Sequence, residues 1–132
     1  MKFKPEKISE LAPNEIFIFG SNENGEHLGG AARIAYEKFG AEWGQASGIS
    51  GQSYGIPTLD RDMEKVEPEL IYIHLVDLIE YVQTHPKNTF YLTKIGCGIA
   101  GWSIDEIKDI FWEAMGENPL PENLYIPKEF NK

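Results

Sequence analysis

One cysteine, Cys97, is all that the 132 residues contain, so no intrachain disulfide can form. That scarcity fits a reducing compartment, and a cytoplasmic protein is the expectation. Long apolar runs are also missing, and the charged start Met1-Lys2-Phe3-Lys4-Pro5-Glu6-Lys7 carries no apolar leader segment, so no membrane association is expected. Positive charge is scarce: 12 Lys and Arg stand against 21 Asp and Glu, a net charge of −9. A surface of that sign argues against long nucleic acid as a partner, because its phosphates demand a basic face. The metal-binding spacings H-E-x-x-H and paired C-x-x-C are absent, and neither a metal nor a bound cofactor is expected. No G-x-x-x-x-G-K-[ST] occurs, which removes the P-loop.

What is present is concentrated in one stretch. Ile16-Phe17-Ile18-Phe19 is a continuous apolar, β-favouring run, the pattern of a strand covered on both faces. A polar turn follows, from Gly20-Ser21-Asn22 to His27-Leu28. Gly29-Gly30-Ala31-Ala32 then opens a helical pattern reaching Phe39, with Gly40 as its stop. A first helical turn with almost no side chains leaves backbone N–H groups accessible, and the helix dipole adds positive character there. That chemistry suits a phosphate or diphosphate. The same glycines also suit tight helix-to-strand packing, and both readings fit.

The rest of the chain alternates. A short edge strand is expected near Lys2 to Lys4, and Gly40 to Gln52, with four glycines, reads as a loop. Ser53 to Thr58 is β-like, with Pro57 at its end. Pro68 suits the first turn of a helix whose apolar face is Ile71, Leu75, Leu78 and Val82, ending by His85. Thr89 to Ile95 is the third strand, and it runs into a second glycine-rich turn, Gly96 to Gly101. Ser103 and Glu106 form a capping box, with Trp102 and Ile107 at staple positions. Ile104, Ile107, Phe111 and Ala114 face the core of that helix, Gly116 stops it, and Leu124 to Ile126 is a last strand. This β-α-β-α-β-α-β alternation in 132 residues predicts a single α/β domain with a mainly parallel sheet, mixed at its edges, sandwiched between helices.

Two strands thus end in glycine-rich turns that lead into helices. Open α/β sheets bind ligands at the carboxyl ends of strands, where the strand order reverses. If these strands are neighbours, their turns are opposing lips of one cleft.

The combination resembles a macrodomain, the ADP-ribose-binding α/β module. In that family a strand ends in an Asn-rich turn before a Gly-Gly-Gly-Val-Ala-type helix start, and here Phe19-Gly20-Ser21-Asn22, Leu28 and Gly29 to Ala35 are similar to it. A later family strand ends in a phosphate loop of the Ile-Ser-Thr-Gly-Ile-Tyr-Gly type, which Thr93 to Trp102 resembles. Agreement in element order extends the resemblance over Glu15 to Ile126. It implies a three-layer α/β/α sandwich with the sheet order last-third-first-second among these four strands. It also implies a small-molecule ligand, ADP-ribose or a related nucleotide diphosphate. By the same resemblance, Asn22 meets the distal ribose, and Gly29, Gly30 and Ala31 approach that ribose and the diphosphate. Gly98, Ile99, Ala100 and Gly101 wrap the diphosphate by backbone N–H, and Gly20, Ser21, Gly96, Cys97 and Trp102 complete the two motifs. The family's adenine-reading Asp has no counterpart in Met1 to Pro13, which leaves the base open.

Candidate catalytic groups are few. Asn22 or Asp60 would orient a water against the anomeric carbon in an ADP-ribosyl hydrolase; equally, Asn22 closes its own turn and Asp60 belongs to a solvated one. His27 has the titration range of a general acid or base, and an exposed turn position is the other reading. Cys97 lies near a helix start that favours a thiolate, so a nucleophilic role competes with simple packing beneath the loop. Trp43 and Tyr54 could stack on a base or pack in the core. A protein-interaction module with a vestigial cleft is the third functional class.

Overall fold

The computed structural model describes residues 2–132, and five strands form one mixed sheet in it. In chain order the elements are β1 (Glu15–Asn22), α1 (Gly30–Lys38), β2 (Gly48–Ser50), β3 (Ser53–Leu59), α2 (Pro68–Thr84), β4 (Thr89–Leu92), α3 (Ile104–Met115) and β5 (Leu124–Tyr125), with a final 3-10 turn at Lys128–Phe130. The sheet order is β2-β3-β1-β4-β5. β1 is parallel to both β3 and β4, β4 is parallel to β5, and β2 alone runs antiparallel, against β3. The last-third-first-second order expected of the four predicted strands therefore stands, with β2 added outside it.

β1 is central because its side chains alternate between two apolar layers. Phe17 and Phe19 pack with Ala32, Ala35 and Phe39 of α1 and its C-terminus. Ile16 and Ile18 join the larger cluster that contains Ile71, Leu75 and Leu78 of α2 and Ile107 and Phe111 of α3. Helices thus cover both faces, which is why this strand reads as an unbroken apolar run. Full burial of a side chain such as Phe111 contributes about 1.5–3 kcal/mol.

The capping box forms as its spacing predicts. Glu106 N–H donates to Ser103 Oγ at 3.0 Å, and Ser103 N–H donates to Glu106 Oε1 at 2.9 Å. Trp102 and Ile107 are both buried beside it.

Several boundaries differ from expectation. The presumed loop Gly40 to Gln52 contains β2, because Gly51, at a φ of +59°, turns the chain tightly enough to pair Gly48–Ser50 with β3. β4 stops at Leu92 rather than Ile95: Thr93 Oγ1 and N–H both donate to the Ile18 carbonyl, and the chain then turns away. β1 continues to Asn22, past Phe19, with an irregularity between Ser21 and Asn22. In α1, Ala32 and Ala35 form the buried face and Ile34 is exposed. The expected edge strand near Lys2 to Lys4 reduces to one parallel bridge, Phe3 to Ile126.

Candidate functional site

β1 has β3 on one side and β4 on the other, so the order reverses at β1. A cleft of about 180 Å³ opens at the carboxyl ends of these strands. One wall is the turn after β1 and the start of α1, from Gly20 through Asn22 to Ala32; the opposite wall is Thr93 to Gly96 with Ile99 and Ala100. Thr58, Leu59 and Met63, from the end of β3 and the turn beyond it, close the third side.

Glycine allows the two lips to meet. A Cβ on Gly96 would lie 2.8 Å from Trp102 Cδ1, and Gly96 itself has a φ of +72°. Trp102 is buried behind the loop and donates from Nε1 to the Thr58 carbonyl at 3.0 Å. The lips also touch through a side chain, since Ile99 Cδ1 lies 3.4 Å from where a Gly29 Cβ would stand.

The cleft offers backbone donors. α1 has Gly29 as its N-cap, with no side-chain cap, and Gly30 follows at a φ of +59°. Among the described residues, the N–H groups of Gly30, Ala31 and Ala32 have no acceptor within the chain, nor do those of Ile99 and Ala100. All five residues line the cleft. The cations nearby are engaged elsewhere: Lys94 pairs with Glu129 at 3.1 Å, and Lys65 lies over the Trp102 ring.

Of the predicted ligand-binding residues, Gly20, Ser21, Asn22, Gly29, Gly30, Ala31, Gly96, Ile99 and Ala100 line this cleft; Cys97, Gly98, Gly101 and Trp102 are not in its wall. Asn22 is buried in the cleft wall, and both ends of its amide bond to Glu26. Its Nδ2 donates to the Glu26 carbonyl at 2.7 Å and its Oδ1 accepts the Glu26 N–H at 3.1 Å. Asp60 is outside the wall, because its Oδ1 accepts the N–H groups of Asp62 and Glu64 at 2.8 and 3.0 Å.

His27 is 1% exposed, not a solvated turn residue. Its Nε2 donates to the Glu42 carbonyl at 2.8 Å, and its ring packs against Phe19, Tyr36 and Trp43, away from the cleft wall. Its Nδ1 is buried without a hydrogen-bond partner. Cys97 is half-buried, and burial raises its thiol pKa rather than lowering it. Lys94 opposes that rise and Glu106, in the first turn of α3, adds to it. Trp43 belongs to the His27 cluster, and Tyr54 packs beside Tyr81 in the α2 layer, so neither reaches the cleft.

The other wall residues, among them Glu26, Leu28, Thr58, Leu59 and Met63, were not predicted as site residues. The exposed Leu28 lies inside the glycine motif and was legible as a rim residue. Met63 carries no motif at all.

Among the described residues no group of His, Cys, Asp and Glu is arranged to hold a metal, and no helix is long and apolar enough to cross a membrane.

These features define an α/β protein with a mixed five-stranded sheet and an amide-lined cleft at its carboxyl edge. A solved structure of a protein of unknown function from Bacteroides thetaiotaomicron is similar in fold, with a TM-score of 0.62 over 87% of this chain and 88% of that one, at 14% sequence identity. No protein-family model and no curated protein matches the chain.

Proposed function

We propose that the cleft binds ADP-ribose or a related nucleotide diphosphate, in the manner of a macrodomain. The observation that carries this reading is the convergence of five unpartnered N–H groups, from the start of α1 and from the loop after β4, on one cleft at the strand-order reversal. Backbone amides and a helix N-terminus are a site for a diphosphate, and they need no excess of basic side chains. That is the kind of site a chain of net charge −9 requires.

A cleft of about 180 Å³ is smaller than the roughly 300–1,000 Å³ usual for whole ligands. It fits a diphosphate with one ribose, leaving the base at the rim. Binding is favoured over hydrolysis. The Asn22 amide is spent on Glu26, Asp60 on its own turn, and His27 lies under an aromatic cluster. Each of the three is engaged in hydrogen bonds of the fold itself. The raised thiol pKa argues against Cys97 as a nucleophile.

Isothermal titration calorimetry with ADP-ribose, and with AMP, ADP and NAD as comparators, tests the proposal. Micromolar binding of ADP-ribose, about −8 kcal/mol, is the expected result. No heat with any of the four defeats it.

A further inference from the structure

Met63 occupies a backbone conformation that side chains disfavour. Its φ is +62°, and it is the only non-glycine residue with positive φ among the described residues. Asp60 imposes the shape. Its carboxylate accepts the N–H groups of Asp62 and Glu64, its N–H donates to the Glu64 carbonyl at 2.7 Å, and its carbonyl accepts the Met63 N–H at 3.1 Å. Glycine or asparagine would fit there with less penalty. The chain instead keeps a long apolar side chain, 48% exposed, beside the cleft. Strain kept at the edge of a cleft points toward function.

Met63 is not alone at that edge. Leu28 is 62% exposed and Ile99 is 88% exposed, and both line the same cleft from other segments. Three large apolar side chains therefore surround a floor of polar amides.

We propose that Met63 is a base-binding residue that, with Leu28 and Ile99, holds the flat face of the ligand's nucleobase by apolar contact alone. This rests on the nucleotide reading of the cleft. A base is the aromatic group left outside when ribose and diphosphate fill the cavity, and a thioether packs favourably against an aromatic ring. Apolar contact reads area and shape rather than the pattern of donors and acceptors, and it discriminates weakly between rings. The site accepts purine and pyrimidine nucleotides alike.

The test is calorimetry of the wild type, Met63→Gly and Met63→Leu with ADP-ribose, ADP, UDP and base-free pyrophosphate. Met63→Gly should weaken the three nucleotides about tenfold, the scale of a lost apolar side-chain contact, and leave pyrophosphate unchanged. Its thermal midpoint should not fall below the wild type, because glycine accepts the left-handed turn. Met63→Leu should restore most of the nucleotide affinity. Equal weakening of pyrophosphate, or no weakening of any ligand, overturns the inference. So does a wild type that binds ADP but rejects UDP. A wild type that binds none of the four overturns the nucleotide reading itself and this inference with it, and that outcome is visible before any variant is made.

Discussion

Gly20 and Gly96 meet backbone to backbone: a Cβ on Gly20 would stand 2.8 Å from the Gly96 nitrogen. The carboxyl end of β1 and the loop after β4 approach this closely because Gly20 has no side chain. Gly20→Ala must push the loop away. The expected cost is about 1–3 kcal/mol, the range for overpacking a tight contact. Denaturant unfolding measures it, and a variant as stable as the wild type would mean that the lips part freely.

Asn22 is expected to hold the shape of its lip rather than the ligand. Asn22→Ala removes both bonds to Glu26 and leaves that backbone unpaired, for a loss of about 1–3 kcal/mol. Asn22→Asp keeps the acceptor, loses the donor and should cost less. An alanine variant with full stability but weakened ADP-ribose binding would instead assign Asn22 to the ligand.

Two glycines offer a contrast. Gly30 has a φ of +59°, and nothing lies within 4 Å of where its Cβ would stand, so its requirement is conformational. Gly30→Val should cost roughly 1–2 kcal/mol and cover the amides of α1. Gly98 has no positive φ, equally open space around it and no place in the cleft wall. Gly98→Ala should stay within about 0.5 kcal/mol of the wild type. Paired melting and calorimetry would show whether Gly30→Val alone loses ADP-ribose.

Alkaline pH should destabilise the fold through two tyrosines. Burial pushes Tyr54 up to about 12, with Asp77 adding to it; burial also leads for Tyr91, at about 12, where the hydroxyl donates to Glu15 Oε2 at 2.6 Å. In the unfolded chain both ionise near the ordinary value of about 10. The native state therefore keeps protons that the unfolded state releases between about pH 10 and 12. Stability should be level below about pH 10 and fall as pH rises through that window. Denaturation midpoints against pH follow it, and Tyr91→Phe should flatten part of the slope. A wild-type curve level to about pH 12 would contradict the assignment.

Local signals carried the elements that are strongest in themselves. The apolar run at Ile16 to Phe19 marked β1, Pro68 and the four-three-four spacing marked α2, and Ser103 with Glu106 marked the start of α3. The two glycine turns named most of the cleft wall. Tertiary effects stayed hidden. β2 is three residues among glycines and gains its identity only from pairing with β3. β4 ends early because a threonine hydroxyl from outside the strand takes the Ile18 carbonyl. His27 is polar and lies in a turn, yet Phe19 and Trp43 from distant segments enclose it. The conformation of Met63 has no signature in its own letter, because Asp60 and Glu64 create it.

The bond from Thr93 to Ile18 spans 75 residues. Every parallel pairing in the sheet likewise joins strands far apart in the chain. Loops of that length must close before their contacts stabilise anything, which slows folding. During synthesis, β1 and β3 emerge well ahead of β4, so the first lip exists before its counterpart has left the ribosome. The cleft is therefore among the last features to form, and a chain cut short before Thr89 would lack the second lip altogether.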